Sequence, residues 1–114
     1  HVPLLYWGDL YSNGFAILNQ LRSHHGHVTS LMMDAPTLDR YRDLCVEEPT
    51  PSKATCSHLT PSEQEALALV LAGDESCNLR TLRLEQERIE WAWACEQIKR
   101  RVEYTAPRNE RPEE

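Results

Sequence analysis

Apolar residues occur in this chain either as a short continuous run or at helical spacing, and the two patterns alternate. The run Leu-Leu-Tyr-Trp at residues 4–7 is typical of a strand buried on both faces, and a glycine ends it. The next segment predicts a helix that is capped by Ser12 or Asn13. Its apolar face contains Phe15, Ile17, Leu18 and Leu21. Residues 27–33 then predict a second strand.

Capping residues in the middle of the chain predict two further helices. Asp34, followed by Ala-Pro, is expected to start a short helix. The apolar face of that helix contains Leu38, Tyr41 and Cys45. The sequence Thr-Pro-Ser-Glu at residues 60–63 is a capping box, and the helix that it starts should end at Gly73. Residues 46–59 hold prolines, serines and threonines without periodicity, which indicates a loop.

The last third of the chain predicts a third strand and a long helix. Residues 79–87 alternate well enough for a strand with Leu82 and Leu84 on one face. The last helix is expected to pack through a stripe that contains Trp91, Cys95, Ile98 and Val102, widened by Ile89 and Trp93. These two tryptophans and Trp7 are expected mainly in the core. Strands that alternate with helices predict an α/β fold with a parallel sheet and right-handed crossovers.

The length of 114 residues suits one domain, which we place at residues 3–104, with a flexible tail at residues 105–114. The chain opens inside a predicted strand and without methionine. We therefore expect a fragment of a longer protein, whose parallel sheet lacks its first strand. The four cysteines form no Cys-x-x-Cys pair, which disfavours a zinc ribbon and favours reduced thiols in the cytoplasm. No apolar run approaches the roughly 18 residues of a membrane span.

Charge and motifs exclude several classes of function. The net charge of −6 disfavours nucleic-acid binding by charge alone, because phosphate contacts need a basic patch. A local patch stays open, since the last third contains Arg80, Arg83, Arg88, Lys99, Arg100 and Arg101. Without a glycine-rich phosphate loop, a Gly-x-Ser-x-Gly elbow or a His-Glu-x-x-His motif, nucleophilic hydrolases and zincins are excluded. The histidines at positions 24, 25 and 27 fit a solvated helix end better than a transition-metal site.

Acidic residues follow each predicted strand and are the main candidates for chemistry. They are Asp9, Asp34, Glu85 and Glu87. Because the carboxyl ends of parallel strands meet at one edge of a sheet, such carboxylates can converge on Mg²⁺, a cation that prefers oxygen ligands. Asp34 is better explained as a helix cap, and the two glutamates equally well as favourable charges near a helix N-terminus. Asp9 is harder to explain structurally, because later residues can cap the first helix.

Four ordered blocks of sequence resemble the C-terminal Toprim domain of JetD, a subunit of Wadjet anti-plasmid defence systems. The blocks are YWGDLYSNGFAILNQLRS at 6–23, HVTSLMMD at 27–34, LT before SEQEA at 59–66, and RLEQERI at 83–89. The resemblance extends from about residue 3 to about residue 102. That domain is similar to the Toprim domain of the A subunit of topoisomerase VI. The resemblance implies a parallel sheet flanked by helices.

The activity that the resemblance implies is Mg²⁺-dependent cleavage of DNA by a glutamate on an early strand and an Asp-x-Asp on the next. Asp9 matches the first aspartate of that motif and is the implied metal ligand and catalytic residue. The position of the second aspartate holds Tyr11, and the glutamate-bearing strand would lie before His1. Glu85 and Glu87 lie in a matching block and are catalytic candidates without an assigned role. The implied partners are double-stranded DNA and the SMC-like subunits of the complex, with a homodimer as an open alternative.

Two functions of different class follow from this resemblance. In the first, the full-length protein is a Mg²⁺-dependent nuclease in which Glu85 or Glu87 supplies the ligand lost at Tyr11. In the second, the Toprim domain is degenerate and docks onto partner subunits or DNA without cutting. With one of the three expected ligands, the 114-residue chain alone is expected to be inactive. A receiver-like signalling domain is disfavoured, because the usual paired acids and the following strand lysine are not evident.

Overall fold

A parallel pair of strands with a helical crossover begins the fold of this computed structural model, which describes residues 4–105 and the side chains of residues 4–102. Strand β1 (Leu4–Tyr6) pairs in parallel with β2 (Val28–Ser30), and helix α1 (Ser12–His24) connects them. A crossover is required because two parallel strands cannot be joined by a tight turn. The predicted α/β class is confirmed: a parallel two-stranded sheet flanked by helices, compatible with a Toprim-like fold.

The rest of the chain adds three helices and a second, antiparallel pair of strands. These elements are α2 (Ala35–Arg40), β3 (Val46–Glu47), α3 (Pro61–Ala72), β4 (Leu82–Arg83) and α4 (Trp91–Thr105), with 3₁₀ turns at Arg42–Leu44, Glu75–Cys77 and Gln86–Arg88. The prediction of a third parallel strand is wrong, since β4 pairs antiparallel with β3. β3 lies in the segment that was predicted to be a loop. Both of its residues are exposed, so the strand leaves no alternating pattern in the sequence.

Helix starts that depend on local hydrogen bonds are confirmed. The backbone N–H of Thr37 donates to Asp34 Oδ1 at 3.0 Å, so Asp34 caps α2. In the capping box of α3, the Glu63 N–H donates to Thr60 Oγ1 at 3.2 Å and the Thr60 N–H donates to Glu63 Oε1 at 2.8 Å. Gly73, with φ of 75°, ends α3 as predicted. These contacts span three residues or fewer, so the sequence pattern is sufficient to identify them.

The predicted cap of α1 is wrong. Tyr11 is the N-cap residue and its side chain makes no capping hydrogen bond, while Ser12 lies inside the first turn. The prediction that β1 is buried on both faces is also wrong, because Leu5 is exposed. On α1, Phe15 and Leu18 are fully buried, whereas Ile17 is exposed. The apolar face of α1 is therefore narrower than the sequence indicates.

The predicted packing stripe of α4 is only half right: Ile89, Trp93 and Ile98 pack against the core, and the other three residues do not. Trp91 is 72% exposed, and Cys95 and Val102 are exposed too. The helix instead turns Ala94 into the core, because a small side chain allows its backbone to approach closely. Trp93 anchors this face by packing edge-on against Tyr41, with ring centroids 5.6 Å apart. Leu82 and Leu84 are fully buried on one face, as predicted.

The predicted C-terminal boundary of the domain, after residue 104, lies at the end of α4. α4 extends to Thr105, the first residue of the predicted tail, and residues 106–114 lie outside the described part of the chain.

No helix within residues 4–105 is long and apolar enough to cross a membrane. All four cysteines are free thiols.

Phe15 and Trp91 were both predicted to pack in the core, but only Phe15 is buried. We expect Phe15→Ala to lower the free energy of unfolding by about 3–5 kcal/mol, because it leaves a cavity at a fully buried site. Trp91→Ala should change it by less than about 0.5 kcal/mol, because the side chain is largely in solvent. Urea unfolding of both variants followed by circular dichroism measures this difference. A loss at Trp91 as large as that at Phe15 would show that α4 packs through the stripe predicted from sequence.

Candidate functional site

The position of Asp9 is set by a backbone bridge between two distant segments. Asp9 follows β1, and the N–H of the next residue, Leu10, donates to the Leu84 carbonyl at 2.9 Å. The Leu84 N–H donates back to the Leu10 carbonyl at 3.0 Å, which makes an antiparallel bridge. The segment that contains Glu85 and Glu87 is thereby brought to the carboxyl end of β1. This is the edge where the sequence predicted converging carboxylates.

Both oxygens of the Asp9 carboxylate already have protein partners. Oδ2 accepts a hydrogen bond and an ion pair from Arg83 Nη2 at 2.8 Å. Oδ1 accepts from the backbone N–H of Gln86 at 2.9 Å, at the start of the 3₁₀ turn. The side chain of Asp9 is 17% exposed. Asp9 is therefore a partly buried anion that ties β1 to the segment after β4.

The aromatic ring of Tyr11 also contacts the Arg83 guanidinium. The guanidinium carbon lies 4.4 Å from the centroid of the Tyr11 ring, a cation–π contact. The hydrogen bond to Asp9 raises the pKa of Arg83 above its ordinary value, in spite of the opposing effect of burial. The negative charges of Asp9 and Glu85 act in the same direction. Arg83 is thus held as a cation between an anion and an aromatic face.

Gly14 is required because the first turn of α1 packs directly on this group. A Cβ atom at position 14 would lie 2.2 Å from the Asp9 carbonyl oxygen and 3.1 Å from Cδ1 of Tyr11. No side chain fits at that distance from backbone. The close approach fixes the backbone of the Asp-Leu-Tyr segment relative to α1.

The two predicted glutamates do not join Asp9 in a metal-binding cluster. Glu85 pairs loosely with Arg88, with Oε1 and Nε 3.9 Å apart. Glu87 is exposed and lines a groove of about 570 Å³ together with Trp7, Arg88 and Trp91. Within the described part of the chain, no group of three or more His, Cys, Asp or Glu residues could hold a metal ion. The catalytic roles of Glu85 and Glu87 stay predictions.

The donor set at Asp9 does not fit Mg²⁺ in this arrangement. Mg²⁺ demands a near-octahedral set of oxygen ligands, usually with one or two carboxylates. Asp9 supplies one carboxylate whose two oxygens are engaged, and Tyr11 presents its ring to Arg83 where the resemblance implies an aspartate. A guanidinium therefore lies where the resemblance implies a metal.

Sequence reasoning missed a buried carboxylate beside this site. Glu48 is 4% exposed and lies at the N-terminus of α1. Its Oε1 accepts from the Ser12 N–H at 3.0 Å and from Ser12 Oγ at 2.8 Å, and Oε2 accepts from the amide of Asn13. A negative charge at this end of a helix is favourable. Glu48 therefore caps α1 by accepting hydrogen bonds from Ser12 and Asn13. It lies 36 residues after Ser12 in the chain, so no local pattern predicts this cap.

A second missed feature is the buried ion pair between Arg22 of α1 and Glu63 of α3. The guanidinium meets the carboxylate through both terminal nitrogens, with Nη2 and Oε2 3.0 Å apart. Glu63 also accepts from the Ser30 hydroxyl. Burial raises the pKa of Glu63, but the hydrogen bonds from Arg22, Ser30 and the Thr60 backbone outweigh it, and the pKa lies below its ordinary value. The capping box identified Glu63, but not its partner on another helix.

The remaining candidates lie away from the Asp9 site. Asp34 serves as the cap of α2 and lines a cavity of about 280 Å³ together with Thr60, Ser62 and Glu63. The histidines at positions 24, 25 and 27 are exposed at the end of α1, as the sequence indicated. The structure therefore concentrates the candidate chemistry at Asp9, Tyr11 and Arg83.

These features define a small α/β domain with an acidic residue at the carboxyl end of its first parallel strand. The family model described as Wadjet protein JetD, C-terminal, matches residues 1–98, and the chain belongs to this family. Membership implies a place in a multi-subunit defence complex. A comparison with curated proteins found no match. The resemblance to the JetD C-terminal region is thus confirmed, while the nuclease activity, the Toprim assignment and Mg²⁺ stay predictions.

The ion pair of Arg22 and Glu63 predicts a pH-dependent contribution to stability. At neutral pH, Glu63→Gln should lower the free energy of unfolding by about 3–5 kcal/mol, because it leaves Arg22 buried without a counter-charge. The folded-state pKa of Glu63 lies below its ordinary value of 4.5, so the contribution is complete above that pH and is lost as the pH falls through the folded-state pKa. The difference between wild type and variant should therefore shrink below pH 4.5.

Urea unfolding at a series of pH values measures this change. Glu65→Gln, an exposed position on the same helix, is the matched control and should have little effect at any pH. A difference at Glu63 that stays constant down to strongly acidic pH would contradict the assignment.

Proposed function

We propose that this chain is the Toprim-like domain of a JetD-type subunit in a Wadjet plasmid-defence complex, and that the chain by itself does not cleave DNA. The family match and the α/β fold support the first statement. The observation that carries the second is the closed Asp9 site. Its single carboxylate is engaged by Arg83 and by the backbone of Gln86.

Charge supports docking onto a protein subunit rather than onto DNA. At least three of the six basic residues that left a local patch open have acidic partners. The pairs are Arg83 with Asp9, Arg88 with Glu85, and Arg100 with Glu96. Affinity for DNA depends on cations that are free to replace counterions along the phosphate backbone. A chain with a net charge of −6 and paired arginines is poorly suited to that role.

A Mg²⁺-dependent DNA nuclease is the second candidate function, and it applies to the full-length protein. The position of Asp9 favours it, because the residue lies at the strand end where the family motif has its first aspartate. A metal held there would stabilise negative charge on a phosphodiester and activate water. This candidate requires carboxylates beyond those that the described residues bring to Asp9.

A plasmid-nicking assay separates the two candidates. The purified 114-residue chain should leave supercoiled double-stranded DNA intact in Mg²⁺ or Mn²⁺, because Asp9 lacks the partners of a metal site. Asp9→Asn should be indistinguishable from the wild type in this assay. The full-length protein, tested in parallel with the same substitution, shows whether residues outside this chain complete a centre.

The informative contrast lies between the chain and its Asp9 variant. Nicking by the chain that disappears in Asp9→Asn would overturn the proposed function and establish the nuclease. Nicking that survives in Asp9→Asn and disappears after separate purification would identify a contaminating activity, whereas nicking that persists after it would also overturn the proposed function.

A further inference from the structure

We propose that Arg83 is the resident cation of the Asp9 site, and that Tyr11 holds its guanidinium in the place where the family's chemistry would require a metal. This inference deepens the proposed function, since it identifies the residues that close the site. Its test measures metal binding rather than cleavage. The two proposals can therefore fail separately.

The direction of the Arg83 side chain follows from the register of β4. Leu82 and Leu84 face the core and are fully buried, so the side chain between them must lie on the opposite face. The Leu10–Leu84 bridge places that face beside Asp9. Arg83 therefore reaches Asp9 because of strand alternation, with no special loop conformation.

The contact between Arg83 and Asp9 is a charge-assisted hydrogen bond in a partly buried setting. Nη2 of Arg83 lies 2.8 Å from Oδ2, and the second carboxylate oxygen is used by the Gln86 N–H. Arginine retains its charge under all ordinary conditions and is weakly hydrated compared with an ammonium group or a divalent cation. A guanidinium can therefore neutralise Asp9 without the ordered water that Mg²⁺ keeps around itself.

Tyr11 explains why the guanidinium stays at this position. Its ring covers the planar cation at 4.4 Å, and Gly14 packs against the same ring. An aspartate at position 11 would remove that aromatic face and add a second carboxylate. A divalent cation would then compete with one arginine for two carboxylates, on more equal terms. Tyr11 and Arg83 thus act as one unit, and neither substitution alone should open the site fully.

This coupling predicts a non-additive result in a double-mutant cycle on the full 114-residue chain. The four proteins are the wild type, Arg83→Gln, Tyr11→Asp and the double variant. Mn²⁺ binding is measured by isothermal titration and by the electron paramagnetic resonance signal of free Mn²⁺. We expect negligible binding in the wild type and weak binding in each single variant. The affinity of the double variant should exceed the value expected from adding the two single effects by about tenfold, a coupling of the size typical of residues in contact.

Two controls make the cycle specific for Arg83. Arg80→Gln removes an exposed arginine three residues earlier and, combined with Tyr11→Asp, should leave Mn²⁺ binding at the level of Tyr11→Asp alone. Arg83→Met replaces Arg83→Gln if glutamine at this position unfolds the domain, because it retains an apolar stem for packing. Thermal unfolding of each variant establishes that it is folded before metal is added.

Several outcomes would overturn the inference. Tight Mn²⁺ binding by the wild type would show that Arg83 does not occupy the site. Equal binding by Tyr11→Asp and the double variant would show that Arg83 does not compete with the metal. Failure of the folded double variant to bind Mn²⁺ at all would show that Asp9 is not arranged as half of a metal site.

Discussion

Two backbone hydrogen bonds between Leu10 and Leu84 join the parallel sheet to the antiparallel one. Both leucines are almost fully buried, so the bridge lies inside the core and excludes water from its own hydrogen bonds. In such an environment an unpaired backbone group is costly, which makes the pairing strongly favoured. The bridge aligns the end of β1 with the end of β4. The contacts of Asp9 with Arg83 and Gln86 depend on this alignment, and so does the whole candidate site.

Three carboxylates with little exposure connect segments that are far apart in the chain. Asp9 is joined to the segment after β4, Glu48 to the start of α1, and Glu63 to both α1 and β2. Each is satisfied by cationic or hydrogen-bond donors, as buried charge requires. In a chain of this size the apolar core is modest, and such polar contacts specify how the helices and the two small sheets are arranged. Asp9 precedes α1 in the chain, and Glu48 accepts hydrogen bonds from the first turn of that helix.

The residue at position 11 differs from the one that the resemblance to a Toprim domain implies. The implied aspartate would place a second carboxylate next to Asp9. Tyrosine instead supplies a ring for the guanidinium of Arg83, which converts a region of concentrated negative charge into a neutral, closed contact. Membership of the JetD family is independent of this exchange, because it extends over residues 1–98. Family and fold are therefore compatible with contacts at this strand end that differ from the implied metal site.

The sequence by itself determined the features whose causes lie within a few residues. The Asp34 cap, the Thr60–Glu63 capping box, the Gly73 stop and the burial of Leu82 and Leu84 depend on local hydrogen bonds or strand alternation, and all were predictable. Asp9 could be singled out because a short apolar run and a glycine precede it. Only the tertiary structure decided that Ala94 and not Trp91 faces the core, that Glu48 caps α1 and that Arg83 neutralises Asp9. Those outcomes depend on which distant segments meet, and a periodic pattern specifies the face of an element without specifying its neighbour.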